Sequence, residues 1–140
     1  MARCLELGAK GAGFVSPNPM VGCVIVYKNR IIGEGYHQKY GGNHAEVNAI
    51  NMVKNKRELE RATLYVNLEP CCHFGKTPPC VEIIKQYMIP RVVIGSIDPN
   101  PIVTGNGVKS LEQTGCKVTL GVLKKKTDFL NRRFFTFHEK

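Results

Sequence analysis

Two near-continuous apolar runs, at residues 63–68 and 91–97, constrain the fold of this 140-residue chain more than any other feature. Apolar runs of that length are typical of strands buried on both faces of a parallel sheet. Helical patterns and a further strand alternate with them toward the C-terminus, at about 79–88, 107–114, 116–120 and from about 123 onward. Strands that alternate with helices predict βαβ units, whose sheet is covered by helices on both faces.

The N-terminal half adds an antiparallel element. Apolar runs at 21–27 and 30–36 flank the dipeptide Lys28-Asn29, a spacing typical of a β-hairpin. Short helices are predicted in two further places, around 5–12 and over 44–54. We therefore expect a single α/β domain spanning residues 1–140, a three-layer α/β/α sandwich around a mixed sheet of about five strands. The glycine-rich pieces at 33–35 and 105–107 are too short for a dinucleotide-binding fingerprint, and we interpret them as turns.

The hydrophobic fraction, 43%, is sufficient for one core. No stretch approaches the roughly 18 apolar residues of a membrane span, and the first residues lack the apolar segment of a signal peptide. A cytoplasmic location is expected, and in that reducing compartment six cysteines argue against a disulfide framework. Three of them lie singly among apolar neighbours, where thiols behave as small hydrophobes: Cys4, Cys23 and Cys116.

The other three cysteines fall within residues 69–80, which read EPCCHFGKTPPC. Ligand crevices in parallel sheets lie beyond the carboxyl ends of the strands. The loops after Leu68 and Ile97 are therefore expected to face one site, and the first of these loops carries the thiols. A catalytic zinc takes three protein ligands from cysteine and histidine and leaves a fourth position open. Spacing alone leaves open which two of Cys71, Cys72 and Cys80 would join a histidine, and whether all three would hold a structural zinc.

The histidine candidate lies in Gly41-Gly42-Asn43-His44-Ala45-Glu46, just before the second predicted helix. Asn43 with Glu46 three residues later resembles a capping box, which would explain Glu46 on structural grounds alone. It would not explain His44, whose imidazole at the first turn is placed to point toward the crevice. Zinc activates a bound water near neutral pH, and Glu46 would then act as general base and acid. The amides at the start of the third helix are expected to shift Cys80 toward thiolate.

His-x-Glu followed by Pro-Cys-x-x-Cys is the signature of zinc nucleobase deaminases. Here the second cysteine follows nine positions after the first instead of three. The expanded form resembles the deaminase domain of the bifunctional riboflavin-biosynthesis deaminase/reductase family, within the cytidine and deoxycytidylate deaminase superfamily. The match covers essentially the whole chain and rests on SPNPMVG at 16–22, YH at 36–37, HAE at 44–46, the 69–80 loop and DPNP at 98–101.

The resemblance implies a cytidine deaminase-like fold and hydrolytic removal of an amino group from a diaminohydroxyphosphoribosylaminopyrimidine, giving 5-amino-6-(5-phosphoribosylamino)uracil and ammonia. It implies a Zn²⁺ ion held by His44, Cys71 and Cys80, with Glu46 as the catalytic residue. Cys72 stands where the family commonly has a small polar residue, so its role stays open. The resemblance also implies substrate contacts from Asn18, His37, His73, Lys76, Asp98 and Asn100. Each of these has a plainer interpretation as a turn former or solvated side chain.

Partners follow from the same resemblance: a small pyrimidine ribosylamine phosphate, a second copy of the chain, and a C-terminal reductase domain in a longer protein. No membrane partner is expected. Basic residues gather near the C-terminus, which we interpret as a solvated helix face: Lys124, Lys125, Lys126, Arg132, Arg133 and Lys140. A deaminase acting on nucleic acid would use such charge, but the long cysteine loop and the absence of tryptophan argue against it. A zinc-stabilised binding module without catalysis is the alternative of a different class.

Overall fold

The computed structural model describes residues 1–72, 78–101 and 104–139. One five-stranded sheet in the order β2-β1-β3-β4-β5 forms its centre. The strands are β1 (Gly22–Tyr27), β2 (Arg30–Tyr36), β3 (Thr63–Leu68), β4 (Arg91–Ser96) and β5 (Lys117–Leu120). The helices are α1 (Ala2–Ala9), α2 (Ala45–Met52), α3 (Cys80–Gln86), α4 (Asn106–Gln113), α5 (Lys124–Leu130) and α6 (Arg132–Glu139), with a 3-10 helix at Lys56–Arg61.

The sheet is mixed. β3, β4 and β5 are parallel, whereas β1 runs antiparallel to both β2 and β3. Both residues of the turn between β1 and β2, Lys28 and Asn29, have positive φ (50° and 62°), as a tight two-residue hairpin requires. These features confirm the predicted βαβ units and the antiparallel hairpin.

Side chains alternate between two helical layers along the strands. Helices α2, α3 and α4 cover one face and α1 and α5 the other. On β1, Cys23 and Ile25 belong to the larger core beneath α2 and α3, whereas Val24 packs with Cys4 and Leu7 of α1. Burying a side chain the size of isoleucine contributes about 1.5–3 kcal/mol, so both faces hold their helices. The three-layer α/β/α prediction is confirmed.

The local differences from the sequence-based prediction have physical reasons. The 3-10 helix was not predicted, and the last helix is divided at Asn131, whose non-helical backbone separates α5 from α6. α1 begins at Ala2 and ends at Ala9, earlier than predicted, and the chain then turns through Gly13 at positive φ. In the described ranges no helix has both the length and the hydrophobicity needed to cross a bilayer.

Two glycines on β2 bring α2 close to the sheet. Gly33 and Gly35 were interpreted as turn residues, but both lie within β2, so that interpretation is wrong. A Cβ on Gly33 would lie 2.4 Å from the carbonyl oxygen of Ala49, and one on Gly35 would lie 2.5 Å from the Ala49 nitrogen. The missing side chains let the α2 backbone rest directly on the strand, which fixes where the first turn of α2 lies.

Candidate active site

Three potential metal ligands come together beyond the carboxyl end of β3. Among the described residues, His44, Cys71 and Cys80 form one group whose ligand atoms all lie within 4.8 Å of one another. Nδ1 of His44 is 3.6 Å from Sγ of Cys71 and 3.3 Å from Sγ of Cys80. The three residues come from three segments of the chain, so the fold, rather than a local turn, assembles the cluster.

Local backbone structure directs each of these side chains inward. His44 is the N-cap of α2 with extended backbone (φ −70°, ψ 162°), so its imidazole is not bound to the spacing of the helix that follows. Cys80 is the first residue of α3 and directly follows Pro79, which is well suited to starting a helix. Cys71 follows β3, and its thiol accepts the backbone N–H of Cys80 at 3.1 Å.

The donor set fits a zinc ion. An ideal tetrahedral zinc, with bonds of about 2.3 Å to sulfur and about 2.0–2.1 Å to nitrogen, places sulfur and nitrogen ligands about 3.6 Å apart. The separations of His44 Nδ1 from the two sulfurs, 3.3 and 3.6 Å, are close to that value. One imidazole and two thiols are also the ligands that zinc prefers, and three ligands leave one position for water or substrate.

The two thiols share one proton unequally. A hydrogen bond from the Cys80 side chain, aided by His44, lowers the pKa of Cys71 to about 4. Its thiolate neighbour and its burial raise the pKa of Cys80 instead. The expectation that helix amides would make Cys80 the thiolate is therefore wrong. The first amide of α3 donates to Cys71, so it is Cys71 that receives the benefit of the helix terminus.

Glu46 lies beside the metal-ligand group in the first turn of α2. Its side chain is almost fully buried, and this burial, with the charge of Cys71, raises the pKa of its carboxyl to about 7. The N-cap of α2 is His44 and has no side-chain capping hydrogen bond, so the capping-box interpretation of Asn43 and Glu46 is wrong. The carboxyl group faces the cavity and the cysteines, a position suited to proton transfer.

His37 and Asn18 form a hydrogen-bonded pair on the same cavity wall. Nδ1–H of His37 donates to the carbonyl of Asn43 at 3.0 Å, so Nε2 accepts from Nδ2 of Asn18 at 3.2 Å. Burial lowers the pKa of His37, which favours the neutral ring that this arrangement needs. The ring also meets that of His44 edge-on, with centroids 5.4 Å apart. Because Nδ2 of Asn18 donates to His37, the side-chain oxygen of Asn18 is the atom of this amide that can accept a hydrogen bond from another group.

A buried carboxylate organises the loop after β4. Glu69 accepts the backbone N–H groups of Asp98 (3.1 Å) and Gly105 (3.0 Å) on one oxygen and that of Val108 (3.0 Å) on the other. Asp98 in turn accepts the N–H of Asn100 at 2.9 Å. Both Asp98 and Asn100 line the cavity with Cys71 and Glu46. The loops after β3 and β4 therefore face one site, as predicted.

The cavity has a volume of about 910 Å³ and extends well beyond the metal-ligand group. Its wall on the side of Asn18, which we call the far wall, consists of residues 12–13, 15–21 and 130–134. Among the described residues that line the cavity, only Arg132 and Arg133 are lysine or arginine, and the guanidinium of Arg132 also contacts the carbonyl and ring of Phe129. This basic segment was interpreted from the sequence as a solvated helix face, and its place at the cavity was not predicted. Among the sequence features, only the family resemblance of residues 16–22 indicated that part of this wall belongs to the site.

Three residues of the 69–80 loop, His73, Lys76 and Cys72, are not placed at the site by the described structure. His73 and Lys76 lie outside the described residues, so their predicted substrate contacts stay predictions. Cys72 is half-buried, packs against the larger core and is absent from the metal-ligand group of the described residues. Burial raises the pKa of its thiol. The contacts therefore support a packing role for Cys72.

Known proteins resemble this chain over most of its length. Residues 1–96 match the family model described as the cytidine and deoxycytidylate deaminase zinc-binding region. A diaminohydroxyphosphoribosylamino-pyrimidine deaminase of Buchnera aphidicola subsp. Schizaphis graminum is 50% identical over 135 residues, which cover 96% of this chain and 90% of that protein.

Longer proteins contain a similar segment. The riboflavin biosynthesis protein RibD of Actinobacillus pleuropneumoniae is 50% identical over 137 residues, which cover 98% of this chain but 36% of RibD. A crystal structure of the diaminohydroxyphosphoribosylaminopyrimidine deaminase/5-amino-6-(5-phosphoribosylamino)uracil reductase of Thermotoga maritima superposes with a TM-score of 0.93 and 47% identity, covering 99% of this chain and 40% of that chain. The chain thus spans little more than a third of these two relatives.

Proposed function

The chain belongs to the cytidine and deoxycytidylate deaminase family, and from that premise we propose that it is a zinc-dependent pyrimidine deaminase of riboflavin biosynthesis. The proposed substrate is a diaminohydroxyphosphoribosylaminopyrimidine. Water replaces its exocyclic amino group, and the products are 5-amino-6-(5-phosphoribosylamino)uracil and ammonia. The names of the Buchnera and Thermotoga relatives support this choice of substrate.

One observation carries the proposal: the His44, Cys71 and Cys80 group and the buried carboxyl of Glu46 open into the same cavity. A non-catalytic zinc module has no need for a carboxyl group buried beside its ligands, because such burial costs stability. The cavity, at about 910 Å³, has room for a ribosylated pyrimidine as well as its reacting ring.

The residues at the metal end have different roles in the proposed reaction. His44, Cys71 and Cys80 would hold the zinc, which supplies Lewis-acid activation of water when it is bound. The Glu46 carboxylate takes a proton from the attacking water and delivers it to the departing amino nitrogen. Both transfers occur at one carboxyl group, so the leaving group departs as neutral ammonia.

The hydrogen-bonded pair of His37 and Asn18 orients the ring. His37, kept neutral by burial and oriented by its bond to the Asn43 carbonyl, fixes the amide of Asn18 so that its oxygen accepts a hydrogen bond from a ring N–H or amino group. Asp98 and Asn100 would contact the ring or the ribose from the loop after β4. A phosphate would lie toward the basic side of the cavity, near Arg132 and Arg133, and Lys76 would add a point charge.

An ammonia-release assay tests the proposal. The zinc-loaded protein is incubated with the diaminopyrimidine ribosylamine phosphate, with transfer RNA and with single-stranded DNA. Ammonia release from the small substrate alone supports the proposal, and deamination of the polymers alone would replace it with a nucleic-acid deaminase. If the protein binds zinc but deaminates none of the three, it is better described as a binding module.

The longer relatives suggest further partners. In a longer protein, a reductase domain would consume the uracil product, as the name of the Thermotoga relative indicates for that protein. A homo-oligomer and a cytoplasmic location remain predictions. Light scattering of the purified chain and cell fractionation would test them.

A further inference from the structure

Asn131, at the junction of α5 and α6, binds the backbone of a residue 111 positions away with both ends of its amide. Its Oδ1 accepts the backbone N–H of Met20 at 2.7 Å, and its Nδ2 donates to the carbonyl of Met20 at 2.8 Å. The side chain is almost fully buried, with 4% exposure. A buried asparagine that binds both backbone groups of one residue fixes the position and the orientation of that peptide segment.

A second asparagine, on the central sheet, forms hydrogen bonds with the same segment. Asn67 on β3 is fully buried, donates from Nδ2 to the carbonyl of Met20 at 3.0 Å, and accepts the N–H of Gly22 at 2.7 Å. Residues 20–22 are therefore held from two sides, by the sheet and by the C-terminal helices. We call Asn67, Asn131 and the backbone of residues 20–22 the Met20 clamp.

The clamp lies two residues from the cavity-facing Asn18. Pro19, between them, restricts the backbone that joins the clamp to Asn18. On its other side the Asn18 N–H donates to the carbonyl of Val15 at 2.8 Å. A displacement of Met20 is thus transmitted through one stiff residue to the amide that contacts Nε2 of His37.

We propose that Asn131 is a positioning residue for the substrate site: through Met20 it holds the amide of Asn18 in register with His37. Asn131 is almost fully buried and both ends of its amide are engaged with Met20, so the role we assign to it is to position Asn18 rather than to contact the substrate. The C-terminal segment is thereby part of the pyrimidine-binding wall. This inference rests on the proposed function for its catalytic consequence, though its structural part does not.

Steady-state kinetics of two variants test the catalytic part. Asn131→Ala removes both hydrogen bonds, and Asn131→Asp keeps the volume but turns an oxygen toward the carbonyl of Met20. Each variant should raise KM for the pyrimidine substrate by about five- to tenfold, as expected for the loss of one or two hydrogen bonds, while kcat stays within about twofold. Zinc content should stay at the parent value. If the alanine variant does not fold, the aspartate variant carries the test.

A double-mutant cycle separates positioning from a general structural role. In an Asn18→Ala background, Asn131→Asp should raise KM by less than about twofold, because its effect passes through the missing amide. An equal rise in both backgrounds, or an unchanged KM in the single variants, would overturn the proposal. The matched control is Asn55→Ala, which removes an exposed asparagine-to-backbone bond at the N-cap of the 3-10 helix and should change neither kinetic constant.

Nuclear magnetic resonance of the substrate-free protein provides a readout that does not depend on activity. In Asn131→Asp the side-chain amide signals of Asn18 and the ring nitrogen signals of His37 should shift, whereas Asn55→Ala should leave them in place. Unchanged signals in Asn131→Asp would overturn the proposal. If the signals shift but the parent releases no ammonia from the pyrimidine, the proposed function fails while the positioning role stands.

Discussion

The two ends of the cavity are built in different ways. At the metal end, comprising His44, Glu46, Cys71 and Cys80, the fold brings together side chains that each lie at or within a few residues of a helix start or strand end. At the far end, Asn18 depends on the Met20 clamp, which joins three segments distant in sequence. The difference teaches that one cavity can combine a reaction centre placed by the ends of helices and strands with a substrate wall placed by side chains that bind the backbone of a loop.

Loss of a metal ligand should have the largest effect. Cys80→Ser replaces a soft thiol ligand by a hydroxyl, so zinc content should fall from about one ion per chain to near zero and activity should vanish. Metal analysis by mass spectrometry gives the measurement. Cys72→Ser is the matched control and should keep its zinc; loss of zinc there would mean that the metal end has been assigned to the wrong pair of cysteines.

The next largest effect is expected at the general base. Glu46→Gln keeps the shape of the side chain but cannot accept a proton, so kcat should fall by about 10²- to 10⁴-fold with zinc retained. Single-turnover ammonia release checks this, with the exposed Glu112→Gln as control. A variant that turns over at the parent rate would show that Glu46 moves no proton in the reaction.

Glu69 supports the loop after β4 rather than either end of the cavity, and its substitution should give an intermediate effect. In Glu69→Gln the amide NH₂ group would face a backbone N–H that the carboxylate now accepts, costing about 1–3 kcal/mol of unfolding free energy. Because Glu69 holds the loop of Asp98 and Asn100, KM should rise more than kcat falls. Urea unfolding and kinetics measure both quantities. Glu60→Gln, at an exposed position of the 3-10 helix, should change neither the unfolding free energy nor the kinetic constants. An equal loss of stability in that variant would show that the loss in Glu69→Gln does not come from its hydrogen bonds to the loop.

The smallest effect is expected at the basic side of the far end. Arg133→Gln should raise KM for the phosphorylated substrate by about two- to fivefold, since exposed charges interact weakly and are screened. The difference should shrink as salt is added. Arg30→Gln at the hairpin turn has the same charge change outside the cavity and serves as control. Equal shifts in both variants would indicate a general effect of net charge rather than a contact with phosphate.

The parts of this structure that sequence predicts are those fixed by neighbouring residues. The alternation of apolar runs with helical patterns predicted the sheet, because a strand buried on both faces needs a continuous apolar run of its own length. The position of the metal end was predicted because Leu68 and Ser96 end adjacent parallel strands, and the family pattern then selected among the thiols. Asn18 and His37 were suggested by resemblance alone, and nothing in their spacing predicted the hydrogen bond between them.

The missed features depend on contacts across the fold. Asn131 looks like an ordinary helix-ending residue until Met20 lies against it. The thiolate assignment failed because the helix-terminal amide of Cys80 points at the neighbouring cysteine rather than at its own sulfur. The glycines at 33 and 35 were misinterpreted because close packing by α2 is not visible from the strand itself.

The hairpin turn at Lys28-Asn29 has a practical consequence. Because β1 runs antiparallel to β3, the last residues of β1 lie beside Thr63, the first residue of β3. The hairpin turn is therefore at the end of the strands opposite the cavity. A six-residue strand spans about 20 Å, so a fluorophore, peptide tag or surface linker inserted between Lys28 and Asn29 would lie about that far from the metal end. The protein can then be immobilised with the mouth of its cavity facing the solvent, as a sensor surface or a flow reactor requires.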